Sequence, residues 1–307
     1  MQDGGKAKAN NWTTNAKLAT GMALFGSATP ISKIVASAMP VFVASTLRVA
    51  IGALVLFPFI ARDWHDIGKL SRRDWLLVTA IALFGMFGFS VLMLYGMGMV
   101  PGTVGATVMS TTPAVTSTAS IALLKDKPTW RKIAAVTLAV GGVLILQLGQ
   151  IGEGDTAGNS LLLGSTLVFG AVCCETIYTL VGKKASETID PVLVAFLAAA
   201  IAVPVFIPFA IWQWQDFQLR HVTAADWLAL VWYGAGTLAL GSWFWYSGVS
   251  RAEGAVAAGF MGVMPASALI LSYLLLDEPF RPIHLIGFAF VFLSVLLIAW
   301  ENAKTGG

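Results

Sequence analysis

The chain has 307 residues, of which 57% are apolar and 11% charged, with 31 glycines and a mean hydropathy of +0.78. A soluble chain carries roughly 25% charged residues. This scarcity of charge excludes a disordered polymer, a nucleic-acid-binding domain and a small disulfide scaffold, and it points to a polytopic membrane protein.

A helix that crosses a bilayer needs about 20 mostly apolar residues. Charge, proline and glycine divide the chain into ten such stretches, at 16–37, 40–60, 74–98, 102–124, 131–149, 160–182, 190–212, 226–248, 254–276 and 282–300. The expected fold is an all-α membrane protein of ten transmembrane helices behind a tail at 1–15. The first span follows Lys6, Lys8 and Lys17 like a signal peptide, but it is too long and lacks a small-residue cleavage site, so an uncleaved span is expected. The loops are too short to hold a soluble catalytic domain. Cys173 and Cys174 are adjacent in an apolar run and match no zinc spacing, which reads as two small core residues.

Basic residues in short loops stay in the cytoplasm. With the amino terminus inside, fifteen Lys and Arg between Lys6 and Lys304 fall on one side, and only Lys33, Arg220 and Arg281 on the other. This asymmetry predicts two cytoplasmic termini and explains the basic clusters without a nucleic acid. Trp64, Trp75, Trp130, Trp212, Trp214, Trp227 and Trp300 fall near span ends, as an interfacial aromatic belt requires.

The halves match at an offset of 150 to 152 residues: Pro40 with Pro191, Pro58 with Pro208, Asp74-Trp75 with Asp226-Trp227, Tyr95 with Tyr246, Pro113 with Pro265, and Asp126-Lys127-Pro128 with Asp277-Glu278-Pro279. Such an ordered set predicts duplication of a five-span unit, 16–149 and 160–300. Because five is odd, the second unit lies inverted in the membrane. Inverted repeats are a transporter device, in which two packings of equivalent halves alternate around a midplane site.

The paired five-span units, the glycine-rich third and fourth spans, and the segments Leu123-Leu124-Lys125-Asp126-Lys127-Pro128 and Leu274-Leu275-Leu276-Asp277-Glu278-Pro279 together resemble the EamA-type repeat of the drug/metabolite transporter superfamily. The resemblance covers 16 to 300; the first copy departs from it in having Lys127 where the second has Glu278. Within the superfamily the chain is most similar to the aromatic amino acid exporters of YddG type. The resemblance implies a secondary transporter of the bacterial inner membrane that exports amino acids, aromatic and other apolar ones, by alternating access. Its partners would be a small-molecule substrate and the bilayer, with no cofactor and no metal. A multidrug, organic-cation or other small-metabolite exporter of the same superfamily is the alternative, and a channel a further one.

Pro113 and Pro265 fall near the middle of the fourth and ninth spans, and a proline there frees the carbonyl four residues earlier, on Met109 and Met261. Those carbonyls can accept from a substrate ammonium, or the prolines can be plain packing kinks. Pro30 would similarly free Gly26. Glycines at 85, 88, 96, 98, 102, 105, 234, 236 and 241 allow close helix packing or substrate contact in spans three, four and eight.

Ionisable groups inside a membrane are costly and suggest function. They are Glu175, Arg48, Lys33 and His284. Glu175 can bind an ammonium, carry a coupling proton, or form a fixed ion pair with Lys33 or Arg48. Lys33 and His284 can reach an interface by snorkelling. Phe25, Phe84, Phe87, Tyr95, Tyr178, Trp243 and Tyr246, with Met109, Met261 and Met264, can line a cavity for apolar side chains. There is no phosphate-binding loop and no nucleophile elbow, and His65, His221 and His284 lack ligand spacing, so no enzyme is expected. A phosphate carrier would need more cations than Lys33 and Arg48 supply.

Overall fold

The computed structural model describes residues 3–61, 64–124, 129–148, 155–217, 219–249, 251–252, 256 and 260–305. Arg62, the first motif copy at Lys125–Pro128 and the start of the expected ninth span lie outside them. The described residues are almost wholly helical, with no strand among them.

The helices are α1 (Asp3–Ala38), α2 (Val41–Leu56), α3 (Arg72–Met99), α4 (Gly102–Met109), α5 (Thr112–Leu124), α6 (Trp130–Leu148), α7 (Asp155–Ala185), α8 (Pro191–Gln213), α9 (224–249), α10 (Val263–Leu276) and α11 (Pro282–Thr305). Two departures from the expected spans stand out. The tail is helical from Asp3, because nothing between Lys6 and Lys17 interrupts the backbone and α1 propagates into it. The fourth span is two helices, broken at Ser110–Thr111.

Local chemistry explains the repeated signals. Asp74 and Asp226 are the third residues of capping boxes: the Asp74 N–H donates to Ser71 Oγ at 3.2 Å and the Ser71 N–H to Asp74 Oδ2 at 3.0 Å, with Thr223 and Asp226 repeating the arrangement at 3.3 and 2.8 Å. Each box opens a long apolar helix that contains a wide π-helical stretch, Ile81–Gly88 in α3 and Trp232–Leu240 in α9. Pro191 opens α8, where the Asp190 carboxylate accepts from the N–H of Val192 at 2.8 Å.

Among the described residues, six helices are long and apolar enough to cross a membrane: Trp12–Ala38, Val41–Ile60, Arg72–Met99, Ser160–Ala185, Pro191–Gln213 and Pro282–Glu301. Large apolar side chains such as Leu54, Leu76, Ile211 and Leu228 project from the bundle with about 70% of their surface uncovered. An uncovered apolar belt of this kind suits lipid rather than water.

The most extensive packing joins the two halves of the chain: α2 with α8, α3 with α7, α1 with both α9 and α10, and α6 with α11. One core lies between α2, α3 and α8 around Leu56, Ile81, Leu193 and Phe206, and a second between α3, α4 and α7 around Met93, Val104 and Val168. The seam of α6 and α11 is pinned by Arg131, whose guanidinium meets Glu301 at 2.7 Å and stacks 4.7 Å from the Trp300 ring.

Candidate functional site

The centre is built by Ser110-Thr111-Thr112-Pro113. Pro113 has no N–H, and its ring clashes with the carbonyl of Met109, so α4 stops there. The proline falls in the first turn of α5, where a missing donor costs nothing. Hydroxyls bond the carbonyls around the break: Ser110 donates to Ala106 O at 2.6 Å and Thr111 to Val108 O at 2.7 Å, both of which also accept a backbone N–H, and Thr112 donates at 2.7 Å to Met109 O, the carbonyl that Pro113 frees. The sequence offers the Met109 carbonyl to a substrate ammonium. Instead it lies against Thr112.

The same Thr112 hydroxyl lies 2.9 Å from Glu175 Oε2 on α7. A hydroxyl has one proton and can serve one of these acceptors at a time. With Glu175 ionised, Thr112 donates to the carboxylate and Met109 O is released. With Glu175 protonated, the carboxyl donates to Thr112, which then donates to Met109. The carboxyl proton is thereby tied to the hydrogen bonding of the helix break. Thr116 and Thr176 extend the polar seam between α5 and α7, their hydroxyls 3.1 Å apart.

Glu175 sits deep in the bundle yet keeps part of its surface accessible. It forms no ion pair with either cation that the sequence offered. Lys33 donates to the carbonyls of Met97 and Val100 at the end of α3, at 3.2 and 2.5 Å. Arg48 donates to Ser90 at 2.6 Å. Below Glu175 by one turn, Tyr178 meets Tyr246 of α9 with hydroxyls 3.3 Å apart. The Tyr178 ring fills the space beside Gly85, where any Cβ would collide with it, so this glycine seats the tyrosine.

The remaining expected site residues are spread over other places. Phe87 and Tyr95 belong to an aromatic cluster of α2, α3 and α8: Phe87 lies 4.7 Å from Phe206 and 5.4 Å from Phe209, Tyr95 lies 6.3 Å from Phe42, and its hydroxyl accepts from Gln213 Nε2 at 3.2 Å. Trp243 lies 5.3 Å from Phe59 with Lys17 Nζ 5.6 Å above its ring. Phe25 packs on Gly241, and Phe84 is exposed. Met261 and Met264 are half-buried and Pro265 buried, at the turn that opens α10. His284 is buried, its Nδ1 3.1 Å from the Tyr273 hydroxyl. The cysteines are half-buried and not joined in a disulfide, Cys174 beside Gly88.

Two contributors escape sequence reasoning. Thr112 is one; a run of three hydroxyl residues before a proline inside an apolar helix is the signal that would have marked it. Glu278 is the other. Its carboxylate accepts from the backbone N–H of Gly102 and of Thr103, the latter at 2.9 Å, and so caps α4 from across the molecule. Asp277 just before it takes a left-handed φ of 49° to end α10. The acidic motif is therefore a turn that delivers a cap.

Comparison with known proteins gives the same class. The model of the EamA-like transporter family matches residues 15–148 and again 162–300. The uncharacterized transporter YetK of Bacillus subtilis (strain 168) is 32% identical over 274 residues, 89% of this chain and 83% of that one. The threonine/homoserine exporter RhtA of Escherichia coli (strain K12) is 26% identical over 250 residues, 79% of this chain and 76% of that one. A solved crystal structure superposes with a TM-score of 0.65 at 15% identity, covering 95% of this chain and 97% of its own, a likeness of fold alone. With its helical membrane architecture and both matches to one family, this chain belongs to the EamA-like transporter family of the drug/metabolite transporter superfamily.

Proposed function

We propose that the chain is a secondary transporter exporting amino acids, aromatic and other apolar ones among them, across the bacterial inner membrane by alternating access. The observation that carries this reading is the Glu175 carboxyl, set deep in the bundle against a helix break and free of any ion pair. A group so placed can exchange a proton or an ammonium and pass the change to the backbone. The name of RhtA supports an amino acid as cargo.

The ten-span reading, with inverted units at 16–149 and 160–300 and cytoplasmic termini, is supported by the packing. Exchanging the halves turns the α1–α9 contact into α7–α3 and the α1–α10 contact into α7–α4/α5, and leaves α2–α8 and α6–α11 as they are. The two family matches and the excess of basic residues on one side support it further.

Purified protein in liposomes, given labelled amino acids and organic cations with and without a pH gradient, tests the reading. Saturable counterflow of phenylalanine or threonine is expected. Movement of organic cations alone would assign a drug exporter, and unsaturable flux with measurable current would assign a channel. Impermeant thiol labelling of cysteines added at the two ends tests the topology; ends on opposite sides would rule it out.

A further inference from the structure

Arg48 of α2 is 6% exposed, in the interior of an apolar span. A buried guanidinium without an anion is costly in a membrane. Among the described residues, no carboxylate lies within 4 Å of it. Its Cζ lies 4.1 Å from the ring centroid of Tyr233 and 5.5 Å from that of Phe89, and one Nη donates to Ser90. Aromatic faces ease the charge but accept little from N–H groups. The Nε–H is buried without a partner. So are Ser45 Oγ, one turn earlier on the same face of α2, and the Tyr233 hydroxyl.

Buried polar groups are nearly always paired. Arg48 itself, a serine one turn earlier on its own helix face and the tyrosine it stacks against each keep an unpartnered polar atom, an arrangement that suits an anion. The planar fork of arginine matches a carboxylate in two parallel hydrogen bonds, which a lysine cannot do. A phosphate would require further cations, and Lys33, which the sequence places with Arg48 among the intramembrane ionisable groups, is engaged with the carbonyls of Met97 and Val100. Tyr178 packs against the core that contains Val49, the neighbour of Arg48 on α2, so the cluster adjoins the centre described above. Tyr233 lies within the π-helical stretch of α9 and Phe89 directly after that of α3, irregularities common at functional sites.

We propose that Arg48, with Ser45 and Tyr233, receives the carboxylate of the transported molecule. This assignment rests on the amino acid reading, and the test separates the two. Three probes share one phenyl group: L-phenylalanine, hydrocinnamate, which lacks the ammonium, and phenylethylamine, which lacks the carboxylate. Binding to the full-length protein in detergent is followed by ligand-dependent thermal shift.

Arg48→Lys, which keeps the charge and loses the fork, is expected to weaken phenylalanine and hydrocinnamate by at least about tenfold and to leave phenylethylamine unchanged. Tyr233→Phe and Ser45→Ala, milder changes that keep the packing, are expected to weaken the two carboxylates by about threefold to tenfold each. Equal loss of all three probes would mean a structural arginine and overturn the assignment, as would unchanged carboxylate binding in all three variants. If liposomes move phenylalanine while the variants behave in either of those ways, only the carboxylate site falls. If no amino acid moves but hydrocinnamate still binds through Arg48, the transport reading falls and the site stands.

Discussion

The two proline-bearing breaks use one backbone device with unequal chemistry. At the first, α4 and α5 part before Pro113, and the facing helix α7 presents Glu175 to Thr112. At the second, the first turn of α10 carries Met264 and Pro265, and the facing helix α1 presents Gly26. A Cβ on Gly26 would collide with the Met264 carbonyl and the Ser267 hydroxyl. One joint is polar and holds a partly uncovered titratable group; the other is closed by the Met264 carbonyl and the Ser267 hydroxyl against Gly26. Each of the two family matches, 15–148 and 162–300, holds one such proline; a carboxyl faces the first and a close glycine contact the second.

Gly26→Val is the strongest way to break that contrast. The new side chain meets a backbone carbonyl that cannot turn aside, so α1 and α10 must separate. Overpacking typically costs about 1–3 kcal/mol, and the upper end or beyond is expected here. The fall in melting temperature and in monodisperse yield measures it. A Gly26→Val protein as stable as wild type would mean that the second joint is as loose as the first.

Glu175→Gln is expected to leave stability near wild type, since glutamine can still bond Thr112. Transport should fall at least about tenfold, equivalent to about 1.4 kcal/mol, and the remaining rate should no longer respond to pH. Liposome flux between pH 5.5 and 8 reads both. Unchanged rate and pH response would remove the proton from the mechanism and make the first joint a packing contact like the second.

This contrast was half legible in the sequence. The apolar runs, the prolines at 113 and 265 and the paired Asp-Trp signals are local, and each acts through a local cause: span length, a missing N–H, a capping box. Partner choice is not local. Glu175 faces Thr112 rather than Lys33 or Arg48 because of how α7 is rotated against α5, and helices that are apolar nearly all round carry little periodic signal of their rotation. For the same reason Phe87 and Tyr95 could not be sorted away from Tyr178. The cap that Glu278 places on α4 joins residues 175 positions apart along the chain, beyond the reach of any spacing rule.

Thr112→Val sharpens the contrast at smaller cost. The shape is kept while the hydroxyl shared by Met109 O and Glu175 is lost, so a buried acceptor goes unpaired, at about 1–3 kcal/mol. Thr112→Ser, which keeps the hydroxyl, should restore both stability and pH response. If serine restores stability but not the pH response, the methyl group rather than the proton relay matters at this joint.

Ser267→Ala is the matching change at the second joint and should have the smallest effect. Its hydroxyl donates to Met264 O at 3.0 Å, as Thr112 does to Met109 O. The loss should be about 0.5–1.5 kcal/mol, the ordinary net value of one hydrogen bond, because no carboxyl depends on it. The pH profile of transport should not move. A shifted profile in Ser267→Ala would mean that the second break also senses the proton, and the division of labour between the two joints would then have to be given up.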